Sequence, residues 1–334
     1  MAAECDGREV GSQRGVKCDS NWLSGGSLNL VTKEDRMLTL NHSPGRDIIE
    51  RHPCFSNKAH HKFGRIHLSV APACNIQCRY CLRKYDCANE SRPGVSSKVL
   101  TQEEALHRVR AVVERLDTIS VIGIAGPGDA LYNETTFKVM AEIHREYPEL
   151  TLCVSTNGLL LADRLVALQR VGVKSITVTI NAVTPQTAEK IYAWAVYDGK
   201  RYEDIEAAWL ILERQWLGLR KAAQAGMLVK VNTVYIPGIN EGDIPEIAKE
   251  AHRAGAYIMN LLPLIPQAEF SDLTRPSHKE LAVMREIAGR YIKQMSHCRQ
   301  CRADACGQLC EDRDLELETL NAHIGEQYCE MVIA

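Results

Sequence analysis

Residues 73–97 read Ala73-Cys74-Asn75-Ile76-Gln77-Cys78-Arg79-Tyr80-Cys81-Leu82-Arg83-Lys84-Tyr85-Asp86-Cys87-Ala88-Asn89-Glu90-Ser91-Arg92-Pro93-Gly94-Val95-Ser96-Ser97. Cys74, Cys78 and Cys81 are spaced C-x3-C-x2-C. Three thiolates so close on a tight loop suit one cubane iron–sulfur cluster and leave one iron without a protein ligand. A structural zinc site normally closes with four ligands. No fourth is evident beside these three, so the spacing favours a cluster with an open corner. A zinc knuckle is the competing reading of the same residues.

Outward from this loop the chain alternates. An apolar run at 66–71 reads as a first strand, directly before the cysteines. Thr101 and Glu104 form a capping box that opens a helix running to about residue 116. Further strands are expected at 119–125, 150–155, 175–180, 228–235 and 257–262. Helices are expected at 134–147, 162–170, 185–196, 205–225, 244–254 and 278–295, with Tyr197-Asp198-Gly199 as a turn joining two of them. Strands buried on both faces and alternating with helices imply a parallel sheet. Six such units suggest an α/β fold of partial-barrel type, (βα)6. An eight-unit barrel would need two more strands, and a flat doubly wound sheet also fits the pattern. In either architecture ligands sit at the carboxyl ends of the strands, and the cysteine loop lies at one such end.

The bulk properties restrict the alternatives. The 334 residues allow one large domain or two smaller ones, with 45% hydrophobic content for a core. A net charge of −2 suggests no polyanionic partner. No apolar run reaches membrane-spanning length, and no signal-peptide pattern opens the chain. We therefore expect a cytoplasmic protein with no nucleic-acid or membrane partner. Thirteen cysteines in a long, enzyme-like chain point to metal binding rather than a disulfide scaffold. Residues 1–45 are expected to be a flexible N-terminal arm, 46–296 the core with an N-terminal ligand segment, and 297–334 a cysteine-rich extension and tail. In the segment at 46–64, His52-Pro53-Cys54 places an imidazole and a thiol across a stiff proline, where both can face one metal.

The C-x3-C-x-aromatic-C pattern, with Tyr80 before the last cysteine, resembles the radical S-adenosylmethionine (SAM) superfamily. The longer run is more specific. Cys74-Asn-Ile-Gln-Cys78-x-Tyr80-Cys81, Lys84-Tyr-Asp-Cys87 and Asn89-Glu90-Ser-Arg-Pro-Gly94 resemble the NifB family of nitrogenase cofactor maturases. So do His52-Pro-Cys54-Phe, Ala59-His60-His61, Leu152-Cys153-x-Ser155-Thr-Asn157-Gly158 and Cys298-x-Gln-Cys301-Arg-Ala-Asp-Ala. The resemblance spans roughly 50–310 and favours the partial (βα)6 radical SAM barrel with N- and C-terminal cluster-binding extensions. It implies a [4Fe–4S] cluster on Cys74, Cys78 and Cys81 that binds SAM, and two accessory [4Fe–4S] clusters that are substrates. His52, Cys54, Cys87, Cys153, Cys298 and Cys301 are the ligands available for these, with Glu90 as a further labile ligand or catalytic group. Tyr80, Gly126 and Asp129 after the second strand, Ser155 and Asn157 after the third, Asn181 after the fourth and Asn232 on the fifth are the expected SAM cavity. Asp129 stands where the superfamily often has glutamate.

Some positions admit a plainer reading. Cys153, inside a strand, could be only a small buried hydrophobe. His60, His61 and His67 read as hydrogen-bonding residues. Cys298, Cys301, Cys306 and Cys310 could form a separate zinc or cubane site, and Cys329 reads as a non-ligand.

The activity the resemblance implies is fusion of two cubanes into an eight-iron nitrogenase cofactor precursor with a SAM-derived carbide and an extra sulfur. The implied partners are an iron–sulfur cluster donor, an electron donor such as ferredoxin or flavodoxin, and a downstream carrier or scaffold. The carrier is expected to be separate, because the NifX-like domain of many longer members does not follow. Two other classes fit the cysteines: a radical SAM peptide or RNA modifier with auxiliary clusters, and a non-catalytic iron–sulfur carrier.

Overall fold

A computed structural model describes residues 45–82, 86–89 and 98–309. Glu90, Cys310, Cys329 and the N-terminal arm lie outside the described residues. Six strands run parallel: β1 (Gly64–His67), β3 (Ile119–Ile124), β4 (Thr151–Thr156), β5 (Val173–Thr179), β8 (Leu228–Tyr235) and β9 (Ile258–Pro263). A short strand, β10 (Cys306–Gly307), adds antiparallel to β1, giving the order β10-β1-β3-β4-β5-β8-β9. The six parallel strands form a partial barrel whose end strands, β9 and β10, do not pair with each other.

Helices alternate with the strands: α1 (Arg46–Arg51), α2 (Gln102–Val113), α3 (Glu134–Glu146), α4 (Leu161–Arg170), α5 (Pro185–Ile191), α6 (Asp204–Gln224), α7 (Ile244–Arg253) and α8 (His278–Gly289). The capping box on α2 is complete: Thr101 accepts from the Glu104 amide, and the Glu104 carboxylate accepts from the Thr101 amide. Every residue of β3 and β8 is buried, as strands covered on both faces require. Ile66, Ile122, Val154, Ile176, Val231 and Met259 lie in the main apolar core. No helix of the described residues is long and apolar enough to cross a membrane.

Two expected helices stop early. The helix expected over 185–196 ends at Ile191, and Tyr192–Tyr197 forms strand β6, hairpinned to β7 (Lys200–Glu203). Asp198 (φ 50°) and Gly199 (φ 70°) take the left-handed conformation of a two-residue hairpin turn. The alternation Tyr192-Ala-Trp194-Ala-Val196-Tyr197 suits a strand better than a helix. Strand β2 (Ile76–Cys78) pairs antiparallel with β6, so this hairpin is the floor on which the cysteine loop rests. The last helix ends at Gly289 rather than 295. Beyond it Lys293 O accepts the Met259 amide and Met295 N donates to Met259 O, laying the chain beside β9 and leading it to Cys298.

Candidate active site

The cysteine loop is fastened on two sides. Toward the hairpin, Arg79 N donates to Ile191 O (2.8 Å) and Val196 N to Asn75 O (2.7 Å). Toward the turn after β3, Gly128 N donates to Ala71 O (2.5 Å) and Asp129 N to Ala73 O (2.9 Å). The Asn133 amide brackets Ala73, accepting from its N–H (3.2 Å) and donating to its carbonyl (2.8 Å). Cys81 N donates to Cys78 O (3.0 Å), and the Gln77 side chain donates to the carbonyls of both cysteines. No disulfide forms among the described residues.

Cys74, Cys78, Cys81 and Cys87 line one cleft together with Pro127, Asp129, Ser155 and Asn157. The Cys78 thiol is pushed well up, first by burial and then by Cys81 and Cys74. Three thiolates this near one another are unfavourable without a positive group between them, which is what an iron–sulfur core supplies. Among the described residues no three His, Cys, Asp or Glu side chains close on one metal-ion position. In a cubane each thiolate binds a different iron, so the donor set fits a cluster. Side-chain amides face the sulfurs: Asn157 Nδ2 lies 3.7 Å from Cys74 Sγ and Asn89 Nδ2 3.8 Å from Cys78 Sγ.

The expected SAM residues divide. Asp129 lines the cleft, but both its oxygens already accept: Oδ2 from Thr156 Oγ1 (2.8 Å) and Asn157 N (2.6 Å), Oδ1 from Leu131 N (3.0 Å). It shapes the cleft by holding the end of β4. Burial pushes its carboxyl up, against those hydrogen bonds. Ser155 and Asn157 face the cleft. Tyr80, Gly126 and Asn181 are not among the residues lining it. Tyr80 is buried, with its hydroxyl donating to Asn89 Oδ1 and accepting from Asn181 Nδ2 (2.7 Å). Asn181 also accepts the Val234 amide (2.8 Å). These two residues therefore brace the cleft from behind. Asn232 is on the wall of a second cavity.

That second chamber gathers His52, Cys54, Cys153, Cys298 and Cys301 from three separate stretches of sequence. Ser155 lines both cavities, so the two adjoin along β4. The Cys54 thiol is pushed up to about 12, first by burial; Cys301, Cys153 and Cys298 add to the rise and Lys230 opposes it. The segments that carry His52–Cys54 and Cys298–Cys301 are tied together: His297 Nε2 donates to Pro53 O (2.9 Å), and its ring stacks on His60 at 4.7 Å. His60 is thus a packing residue. Cys306 lies in β10 within the main core, as a small hydrophobe does.

Three residues on this wall carry no weight in the sequence reading. Arg65 is fully buried and donates to Cys301 Sγ (3.1 Å), Gly307 O (2.7 Å) and Gln308 O (2.9 Å). Lys230 reaches the chamber from the middle of β8. His67 is the third. Its Nδ1 faces Arg302 O (3.0 Å); a carbonyl only accepts, so Nδ1 carries the proton and Nε2 keeps its lone pair. This is the tautomer of a metal-bound histidine whose other nitrogen is held by a backbone carbonyl. His52 is arranged the opposite way. Its Nδ1 accepts the Cys54 amide (3.2 Å), so the proton rests on Nε2, which is buried without a partner. Burial keeps both rings neutral, lowering His52 to about 3 and His67 to about 4. A β1 histidine following buried Ile66, and charged residues inside buried strands, were the available signals.

Comparison with known proteins adds the following. The sequence model of the radical SAM superfamily matches residues 68–251. The FeMo cofactor biosynthesis protein NifB of Klebsiella pneumoniae is 47% identical over 283 residues, 83% of this chain and 60% of that protein. The protein of the same name from Bradyrhizobium diazoefficiens is 46% identical over 275 residues, 80% of this chain and 55% of its own length. This chain thus spans little more than half the length of these relatives. Among solved structures, methylornithine synthase aligns with a TM-score of 0.45 at 15% identity, covering 86% of this chain and 88% of that one.

Proposed function

We propose that this chain, which belongs to the radical SAM superfamily, builds an iron–sulfur precursor of the nitrogenase cofactor, as the name of its NifB relatives describes. The observation that carries this reading is the second chamber, rich in thiols and sharing Ser155 with the cysteine cleft. An electron-transfer cluster needs ligands only; a substrate cluster must also lie open to the SAM it reacts with, and an adjoining chamber meets that need.

In this reading Cys74, Cys78 and Cys81 would hold a [4Fe–4S] cluster with a position left open for SAM. Such a cluster would supply the electron for reductive cleavage of SAM. Asn89 and Asn157 stabilise thiolate charge with their amide protons, and Ser155 and Asn157 orient the nucleoside. The substrates are two further cubanes, fused with a carbide drawn from a SAM methyl group and with one extra sulfur. Cys54, Cys153, Cys298 and Cys301 hold substrate iron in the second chamber. His67, with its lone pair on Nε2, is the better nitrogen donor there than His52. Cys87 stands on the first cleft and is available to a cluster between the two sites. The chain then needs a cluster donor, a low-potential electron donor and an acceptor for the product.

Complementation tests the proposal. Expressed in Klebsiella pneumoniae lacking its own NifB, this chain restores growth on dinitrogen, and the Cys298→Ala variant does not. No growth with wild-type chain that carries its full complement of clusters would contradict the proposal.

A further inference from the structure

His52 enters the wall of the second chamber with its hydrogen-bond polarity fixed. It closes α1, its backbone N–H donating to Ile48 O (2.9 Å) and its carbonyl accepting from Phe55 N (3.0 Å). Pro53 stiffens the turn that follows. The Phe55 ring packs edge-on against the imidazole, with centroids 4.7 Å apart. The residue is held in place by these contacts and is 2% exposed. Nδ1 is occupied by the Cys54 amide (3.2 Å), so Nε2 carries the one ring proton and offers no lone pair to iron. Nε2 is nevertheless buried without a partner. A buried N–H left unpaired is costly, so a wall that fixes such a donor calls for an acceptor from whatever fills the chamber. The same wall carries four thiols and the Nε2 lone pair of His67, a donor set for iron that arrives with bridging sulfides. Those sulfides, and thiolates on iron, accept hydrogen bonds. Arg65 already donates to one sulfur of this wall, Cys301 Sγ at 3.1 Å.

We propose that His52 serves the substrate cluster of the second chamber as a hydrogen-bond donor, its Nε2–H directed at a sulfur of that cluster, and does not ligate iron. This rests on the reading that the chamber takes substrate clusters. The bond stabilises the negative charge that reduction adds, and so raises the reduction potential of the cluster. It also fixes one face of the cluster without an iron bond that later has to break, which suits a group that leaves as product.

The test uses the full chain, reconstituted anaerobically with iron and sulfide, and two variants that divide the roles of the ring nitrogens. His52→Gln places an amide donor where Nε2 stands and gives up the acceptor for Cys54. His52→Asn keeps a short acceptor within reach of the Cys54 amide and gives up the donor. EPR of reduced samples, titrated by potential, separates the clusters, and pulsed EPR before and after exchange into deuterium oxide reads exchangeable protons beside each. Wild-type chain is expected to show an exchangeable-proton coupling on an accessory cluster, and His52→Asn to lose it. At a fixed potential the ratio of reduced to oxidised accessory cluster falls about tenfold in His52→Asn, as loss of one hydrogen bond to a charged group implies, a negative shift of about 59 mV. The cluster of the cysteine cleft keeps its potential, and His52→Gln stays close to wild type. Wild-type potential and proton coupling in His52→Asn would overturn the proposal. So would equal shifts in both variants, which make the ring a brace for the turn, and so would loss of strong nitrogen coupling in His52→Asn, which makes His52 an iron ligand. A wild-type chain that assembles only the first cluster is a different failure: it overturns the chamber reading, and this proposal with it.

Discussion

Gly128 is where the account of the cysteine loop is most exposed to test. The turn after β3 meets the start of the loop backbone to backbone, with Gly128 N on Ala71 O at 2.5 Å and Asp129 N on Ala73 O at 2.9 Å. A Cβ on residue 128 would lie inside the Ala73 carbonyl, 2.6 Å from its carbon, and 2.9 Å from Ala71 O, whereas ordinary contact begins at 3.4 Å. Backbone atoms cannot rotate away, so in Gly128→Ala the Ala73 carbonyl, whose oxygen is nearer still, must retreat by about 1.2 Å. Overpacking of this kind costs about 1–3 kcal/mol. A misplacement near 1 Å costs catalysis about a hundredfold. We expect Gly128→Ala to unfold a few degrees lower, to hold less of the first cluster by EPR spin count, and to cleave SAM about a hundredfold more slowly. Accessory-cluster iron is expected to change little. Cluster occupancy and SAM cleavage within about twofold of wild type would refute the claim that this close approach positions Cys74.

Three further predictions concern other parts of the site. Asn89→Leu removes the amide proton facing Cys78 and the acceptor for the Tyr80 hydroxyl; the midpoint potential of the first cluster should move negative in an EPR titration, and an unchanged potential would remove Asn89 from the account. Nitrogen hyperfine coupling on an accessory cluster should vanish in His67→Ala and survive in His52→Ala; the reverse pattern in pulsed EPR would show that the tautomers are assigned wrongly. The third concerns pH in cluster-free chain. Burial lowers His52 to about 3 and His67 to about 4, from 6.5. The unfolded chain then binds more protons below 6.5, so the stability present above that pH is lost as pH falls toward 4. Each ring contributes a slope of about 1.4 kcal/mol per pH unit. Urea midpoints at pH 7, 6 and 5 should fall accordingly, and the fall should flatten in the His52→Gln, His67→Gln double variant. A flat wild-type profile would argue against burial of these rings.

The parallel strands were legible because each is a short apolar run bounded by helical patterns, and burial on both faces leaves that mark. Strand β8 keeps the expected bounds, and the capping box at Thr101 gives the start of α2 from two residues. The turn at Asp198-Gly199 was legible, but the helix expected over 185–196 hides the alternating residues of β6. Its partner, β2, is only three residues long, and no local pattern reveals so short a strand. Cysteine spacing singles out candidate ligands; the division of those cysteines between two cavities is not in the spacing, because it depends on which strand ends adjoin. Lys230 and Arg65 were hidden for a related reason. A single cation inside an apolar strand reads as an interruption until the register shows what it faces. The tautomers of His52 and His67 follow from one backbone amide and one backbone carbonyl, contacts that no sequence pattern encodes.

The claim at the centre of the account is that one chain brings SAM against iron–sulfur substrates of its own. Anaerobically reconstituted protein, given dithionite and SAM and nothing else, tests it most directly, with S-adenosylhomocysteine and 5′-deoxyadenosine quantified in the same sample. Both products are expected, the first from methyl transfer to a cluster sulfur and the second from hydrogen abstraction at that methyl group. Deoxyadenosine alone, with all clusters intact and reduced, would contradict it and point to an external substrate; neither product under the same conditions would make the chain a carrier.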